Sequence, residues 1–155
     1  MSPDYHIRRA TIDDAAVISH HRAAMFRDMG LLDEEEAATL EAETLAYLTE
    51  MLPANKYFGW LVESHGVVVA GAGLIVRRML PRPGNLQGGA EAYILNIYTE
   101  PELRRQGLAR ELMKTVLGWC REQHIARITL HASDDGRALY EGLGFVPTNE
   151  MRLEE

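Results

Sequence analysis

The stretch from Ala92 to Ala132 constrains the fold more than any other part of the chain. "AYILNIYT" (Ala92 to Thr99), with its β-branched and aromatic residues, reads as a strand. The polar run "EPELRRQG" follows. Leu108, Leu112, Val116 and Cys120 then recur at spacing four, with Ala109, Met113 and Leu117 beside them, which predicts a long helix with one apolar face. "ARITLHA" closes the stretch as a second strand. If the two strands are parallel, the helix is a right-handed crossover covering one face of the sheet. The loop from Pro101 to Gly107 then falls outside the carboxyl end of a strand, where such sheets bind ligands.

The remaining elements extend the same plan. "YHIRRAT" (Tyr5 to Thr11) predicts a first strand, and Thr11 with Asp14 forms the sequence pattern of a capping box before a helix that Gly30 stops. A second helix is expected from Asp33 to the break at Pro53. "YFGWLVES" and "VVVAGAGLIVRRML", separated by His65-Gly66, predict a hairpin, and "PRPGNLQGGA" (Pro81 to Ala90) a loop. After "ARITLHA" come a short helix, "DDGRALYEGL", a glycine cap at Gly144 with an apolar contact from Phe145, and a tail from Phe145 to Leu153 with the pattern of one last strand. The order β-α-α-β-β-β-α-β-α-β is that of a mixed α/β sheet with helices on both faces. With 155 residues, one domain spanning 1–155 is expected.

Composition narrows the function. At a net charge of −7 the chain is a poor general polyanion binder, so no nucleic-acid partner is expected and any anionic ligand must be held locally. No apolar run reaches the roughly 20 residues of a membrane span, and "MSPDYHIRR" has no apolar core of a secretory signal. One cysteine, Cys120, forms no intrachain disulfide, which fits a cytoplasmic location. The adjacent His20 and His21 point about 100° apart on a helix, and no Cys/His cluster is present, so no metal is expected. The Gly-x-Ser-x-Gly elbow of a serine hydrolase is also missing.

The loop before the long helix suits an anion. A helix N-terminus leaves its first four N–H groups without intrahelical partners and carries about half a positive charge. Gly107 has no β-carbon to keep a phosphate oxygen from the backbone, Ala109 is small, and Arg104, Arg105 and Arg110 add charged donors. The Walker and three-glycine dinucleotide patterns are both absent.

Arg-x-x-Gly-x-Ala after "NIYTEP", followed about 30 residues on by "HASDDGRALYEGLGF", resembles the paired motifs of the GNAT acyltransferases, which use acetyl-coenzyme A. The resemblance is specific over Glu91 to Phe145 and rests on element order elsewhere. It implies a twisted, mostly antiparallel sheet with a parallel central pair splayed at the coenzyme site. Ile97, Tyr98 and Thr99 would lie along the pantetheine arm. The amides of Arg105, Gln106, Gly107, Leu108, Ala109 and Arg110 would hold the pyrophosphate, with Arg104 at the first motif position. Ser133 stands where many members have asparagine and can also cap the helix at Asp134, while Gly136 and Arg137 would serve phosphates or pantetheine. Tyr140 matches the position that donates a proton to the departing thiolate, a transfer that suits a phenol of pKa about 10.

The resemblance therefore implies an N-acetyltransferase acting on a primary amine of a small molecule, amino acid or peptide, with a noncatalytic acyl-coenzyme A sensor and a protein lysine or N-terminal acetyltransferase as alternatives. A lysine-like amine is neutral in only about one molecule in 2,500 at pH 7, so it needs a base, whereas an α-amino group needs little help. Glu91 at the strand entrance and His131 beside the cleft are the candidate bases, with Asn96 as an orienting group. Transfer is expected to be direct, because Cys120 falls mid-helix, away from the cleft. The apolar sheet surface leaves a homodimer open.

Overall fold

The computed structural model describes residues 2–154. Five strands form one sheet in the order β1-β2-β3-β4-β5: β1 (Tyr5–Arg9), β2 (Tyr57–Ser64), β3 (Val67–Met79), β4 (Gly89–Thr99) and β5 (Arg127–Leu130). The first four pair antiparallel, and β4 with β5 is the parallel pair. The helices are α1 (Ala15–Asp28), α2 (Glu34–Met51), α3 (Leu108–Glu122) and α4 (Arg137–Gly142). Among the described residues no helix is long and apolar enough to cross a membrane.

Local chemistry sets the boundaries. The Thr11–Asp14 capping box forms, with the Thr11 N–H donating to Asp14 Oδ2 at 2.7 Å, and it caps a single 3₁₀ turn that leads into α1. Asp33 and Glu36 cap α2 reciprocally, at 2.8 and 3.2 Å. His65 and Gly66 both have positive φ, 51° and 78°, which matches the type I′ geometry that suits the twist of a two-residue hairpin.

Each face of the sheet has its own core. On one, α3 buries Leu108, Leu112, Met113, Val116 and Cys120 against Val62, Ala70, Leu74, Ala92 and Ile94. On the other, α1 and α2 pack Ala15, Ile18 and Leu48 against Tyr57 and Leu61. The alternating strand pattern supplies both faces, and the helices of sections either side of it close them.

Three sequence expectations change. The tail after Phe145 forms no strand, and Val146, Met151 and Leu153 stay exposed, so β5 is the edge of the sheet. The short helix starts at Arg137 instead of Asp134, because Ser133 closes a turn first: its Oγ accepts from the Gly136 N–H at 3.1 Å and its carbonyl from the Arg137 N–H at 3.0 Å. β4 also begins at Gly89, inside the expected loop, where antiparallel pairing with Met79 extends it.

Candidate acetyl-transfer site

The sheet opens where β4 outruns β5. Parallel pairing ends at Ile94 with Leu130, while β4 continues to Thr99, held on its other side by Gly71 and Ala70 of β3. Ile97, Tyr98 and Thr99 therefore lie beyond the β5 pairing, with no strand of the described residues on that edge of β4. A bulge at Asn96, whose φ is +57°, sits at this point: Gly71 pairs with Tyr98 but Gly73 with Leu95. A bulge bends its strand and re-aims its side chains.

β4 leads through a 3₁₀ turn, Pro101–Leu103, to the N-terminus of α3. Arg105 and Gly107 both have left-handed backbone, φ +63° and +83°. A β-carbon built on Gly107 would meet no atom within 4 Å, so the space in front of the helix is open. The first backbone bond into this turn is from Glu111 N–H to the Gly107 carbonyl, at 3.1 Å, which leaves the N–H groups of Leu108, Ala109 and Arg110 pointing out of the helix start.

The side chains of the same loop divide their work. Leu108 is buried in the core and holds the helix start against the sheet. The Arg104 Nε donates to the Thr99 carbonyl at 2.9 Å, its Nη2 reaches Asp28 at 3.0 Å, and its guanidinium lies over Tyr98. Arg104 thus ties the loop to β4 and to the end of α1. Gln106 accepts from the Tyr5 hydroxyl at 3.0 Å, and Arg110 lies against Gly142 of α4.

Tyr140 lies on α4, beyond the end of β5. It lines a cavity of about 790 Å³ with Leu130, His131, Arg137 and Phe145. Its ring packs on Gly136, where a β-carbon would lie 2.7 Å away, and edge-on to Phe145. The cap predicted at Gly144 forms, with φ +97° and a Phe145 N–H bond to the Tyr140 carbonyl at 3.0 Å. Burial pushes the Tyr140 phenol above its usual pKa, so it stays protonated at neutral pH.

The two candidate bases sit in different surroundings. Glu91 is at the opposite end of the parallel pair from the opening, facing Arg127, and is 3% exposed. Burial alone would raise its pKa. The Thr129 hydroxyl at 2.7 Å, with Arg77 at 3.0 Å and Arg127 at 3.2 Å, outweighs that and holds the carboxyl below its usual range. The Arg127 Nε contact is ionic without hydrogen-bond alignment. His131, by contrast, is exposed on the cavity wall, with Nδ1 against the Tyr93 hydroxyl and Nε2 3.9 Å from Glu150.

A family model for the acetyltransferase (GNAT) family matches residues 10–145. The chain belongs to this family. A GCN5-related N-acetyltransferase from Ralstonia eutropha is 34% identical, with 97% of this chain and 98% of that one covered and a TM-score of 0.90. A predicted acetyltransferase from Clostridium acetobutylicum, solved with acetyl-CoA, is 26% identical over 97% and 96%, at a TM-score of 0.88. Glucosamine-6-phosphate N-acetyltransferase from Arabidopsis thaliana, 14% identical over 97% of each chain at 0.66, shares the fold alone. No curated protein sequence shows significant similarity to the chain. The mostly antiparallel sheet with one parallel pair is the family's fold, and acetyl-CoA is the family's donor.

Sequence reasoning missed one feature of the acetyltransferase. Arg22 of α1 donates from Nη1 to Asn96 Oδ1 at 2.6 Å, and Asn96 Nδ2 donates to the Tyr57 hydroxyl at 3.0 Å. Tyr57 is wholly buried, which pushes its phenol up to about 12. Its trace in the sequence is a charge on an apolar stripe: Ile18, Arg22 and Phe26 follow at spacing four. The acetyltransferase also buries Cys120 completely, and that burial raises the thiol's pKa.

Proposed function

We propose that this protein transfers an acetyl group from acetyl-CoA directly to a primary amine of a small molecule, amino acid or peptide. The observation that carries this reading is the opening where β4 outruns β5, with the unbonded N–H groups at the start of α3 beyond the end of β4 and Tyr140 beyond the end of β5. These parts fit the coenzyme: an unpaired strand edge for an amide-rich arm, and an open, left-handed loop before a helix for its phosphates. Acetyl-CoA supplies the activated acyl group.

The residues then take separate tasks. The backbone from Ile97 to Thr99 binds the pantetheine arm, and the amides from Arg105 to Arg110 bind the pyrophosphate, which places the donor's carbonyl at the sheet opening. Ser133, Gly136 and Arg137 border the same end of β5. Tyr140 holds a proton at Oη for the leaving sulfur, and burial keeps that proton on at neutral pH. His131 is better placed than Glu91 to take a proton from the incoming amine, because it shares the cavity wall with Tyr140. Glu91, ionised and held by two arginines and a threonine, ties β3, β4 and β5 together. Cys120 carries no acyl group, since its sulfur is sealed in the α3 core.

Calorimetry with acetyl-CoA and thiol release against an amine and amino-acid library test this together. Binding followed by amine-dependent thiol release is the expected result. Binding without release for any amine would favour the noncatalytic sensor, and release only with peptides would favour the protein acetyltransferase.

A further inference from the structure

Arg22 is a guanidinium drawn partly out of water without a carboxylate partner among the described residues. Other arginines of the chain are matched: Arg8 with Asp14 and Glu63, Arg77 and Arg127 with Glu91, and Arg104 with Asp28. Arg9 has no carboxylate either, but it lies over three aromatic rings, those of Phe58, Trp60 and Trp119. Arg22 has one ring, Phe26, and one neutral acceptor, Asn96. Its electrostatic neighbours are the side chains of Tyr57, Tyr93 and Tyr47, none of them a carboxylate, and burial pulls its pKa down. A buried or half-buried cation is costly unless it is paired. Four of its five N–H groups have no bond to the described residues, and the guanidinium fork matches a carboxylate in two-point geometry.

Its position gives that empty valence a meaning. Asn96, which Arg22 grips, is the bulge residue immediately before Ile97, at the mouth of the β4–β5 opening. Tyr93, three residues earlier on β4, reaches His131 at the end of β5. Arg22, Asn96 and Tyr57 are linked on the α1 side of the sheet, opposite the face that α3 covers and next to where β4 outruns β5. An acceptor entering from that side meets Arg22, a cation with no carboxylate partner among the described residues.

We propose that Arg22 binds the carboxylate of the acceptor, so that the substrate is an amino acid or a closely related amine bearing a carboxylate, a choice that rests on the acetyltransferase reading above. One unmatched cation suits a monoanion better than a phosphate, which brings nearly two charges. The α-amine of a free amino acid sits beside its own carboxylate, which favours the protonated form, so transfer to it calls on a base.

The test compares each free L-amino acid with its own carboxamide as acceptor for the full-length protein, by thiol release, with acetyl-CoA binding followed separately by calorimetry. At least one acid should exceed its amide by about ten- to a hundredfold in kcat/KM, the range of a charged hydrogen bond. Arg22→Gln should erase that preference, chiefly through KM for the acid, and Arg22→Lys should restore part of it. Acetyl-CoA affinity should stay within about threefold in both variants. Amides acetylated as well as acids by the unaltered protein, or no turnover of any acid while acetyl-CoA still binds, would overturn the carboxylate site and leave coenzyme recognition standing. Failure to bind acetyl-CoA at all would sink the acetyltransferase reading itself, and the carboxylate site with it.

Discussion

The two faces of the sheet are built on different principles. The α3 face is an apolar core that includes Val62, Leu74, Leu112, Met113 and Val116, none of them measurably exposed. The α1–α2 face carries polar interior groups: Ser19 bonded back to the Ala15 carbonyl, His21 against Glu100, and the Arg22–Asn96–Tyr57 chain. Polar groups in an interior cost stability unless each is satisfied, so their concentration on one face sets it apart from the close-packed one. In the proposed reaction the α3 face holds the helix whose N-terminus would meet the coenzyme, and the α1–α2 face would meet the acceptor.

That contrast can be broken by substitution. The largest effect is expected from Tyr140→Phe, which should lower kcat by about a hundredfold or more while acetyl-CoA affinity changes little. Steady-state thiol release and calorimetry on the same samples check the split, and a normal kcat would remove the phenol from proton transfer. Gly107→Glu follows, because it puts a carboxylate at the proposed phosphate site and an L side chain at φ +83°. It should weaken acetyl-CoA by roughly a hundredfold in calorimetry, whereas Gly107→Ala should show mainly the backbone strain, about 1–2 kcal/mol of stability.

Leu112→Ala attacks the apolar face where nothing relieves it. A fully buried leucine lost from a packed core should cost about 2–5 kcal/mol in urea unfolding, with acetyl-CoA binding retained wherever the protein stays folded. A cost below about 1 kcal/mol would mean that this face is less tightly packed than its burial indicates. The smallest effect concerns pH and the polar face. His21 is buried, which pulls its imidazole's pKa down against the upward pull of Glu100. Its contribution to stability is present above about pH 6.5 and lost as pH falls through the lower folded value. Asp14, bonded to Arg8, and Glu91 also have lowered pKa values, so a second loss begins below the unfolded carboxylate values near pH 4. Urea unfolding across pH 3–8 should show stability falling in these two windows; a flat profile between pH 7 and 5.5 would remove the His21 contribution.

The legible parts of the molecule are those that depend on nearby residues. The α3 stripe, both capping boxes, the His65-Gly66 turn and the Gly144 cap are short-range patterns, and each forms where its residues stand. The loop before α3 is equally local, so the family could be read from it. The tail was misread for the complementary reason. Its residues can pair as a strand only against a neighbour, and none of the described strands pairs with them. Glu91 and His131 looked alike as candidate bases because nothing local separates a carboxylate clasped by arginines 14 and 36 residues away from an exposed imidazole.

By itself the sequence determined most of the elements, the parallel crossover and the polar loop that leads into α3, because hydrogen bonding and side-chain periodicity act within a few residues. Only the tertiary structure decided that Arg22 meets Asn96 across 74 positions, that Arg104 turns back to Thr99 and Asp28, and that the Glu91 carboxylate is clasped by Arg77 and Arg127 far from the opening. Charges find their partners through space, and a chain that brings distant strands and helices together sets those partners only when it folds.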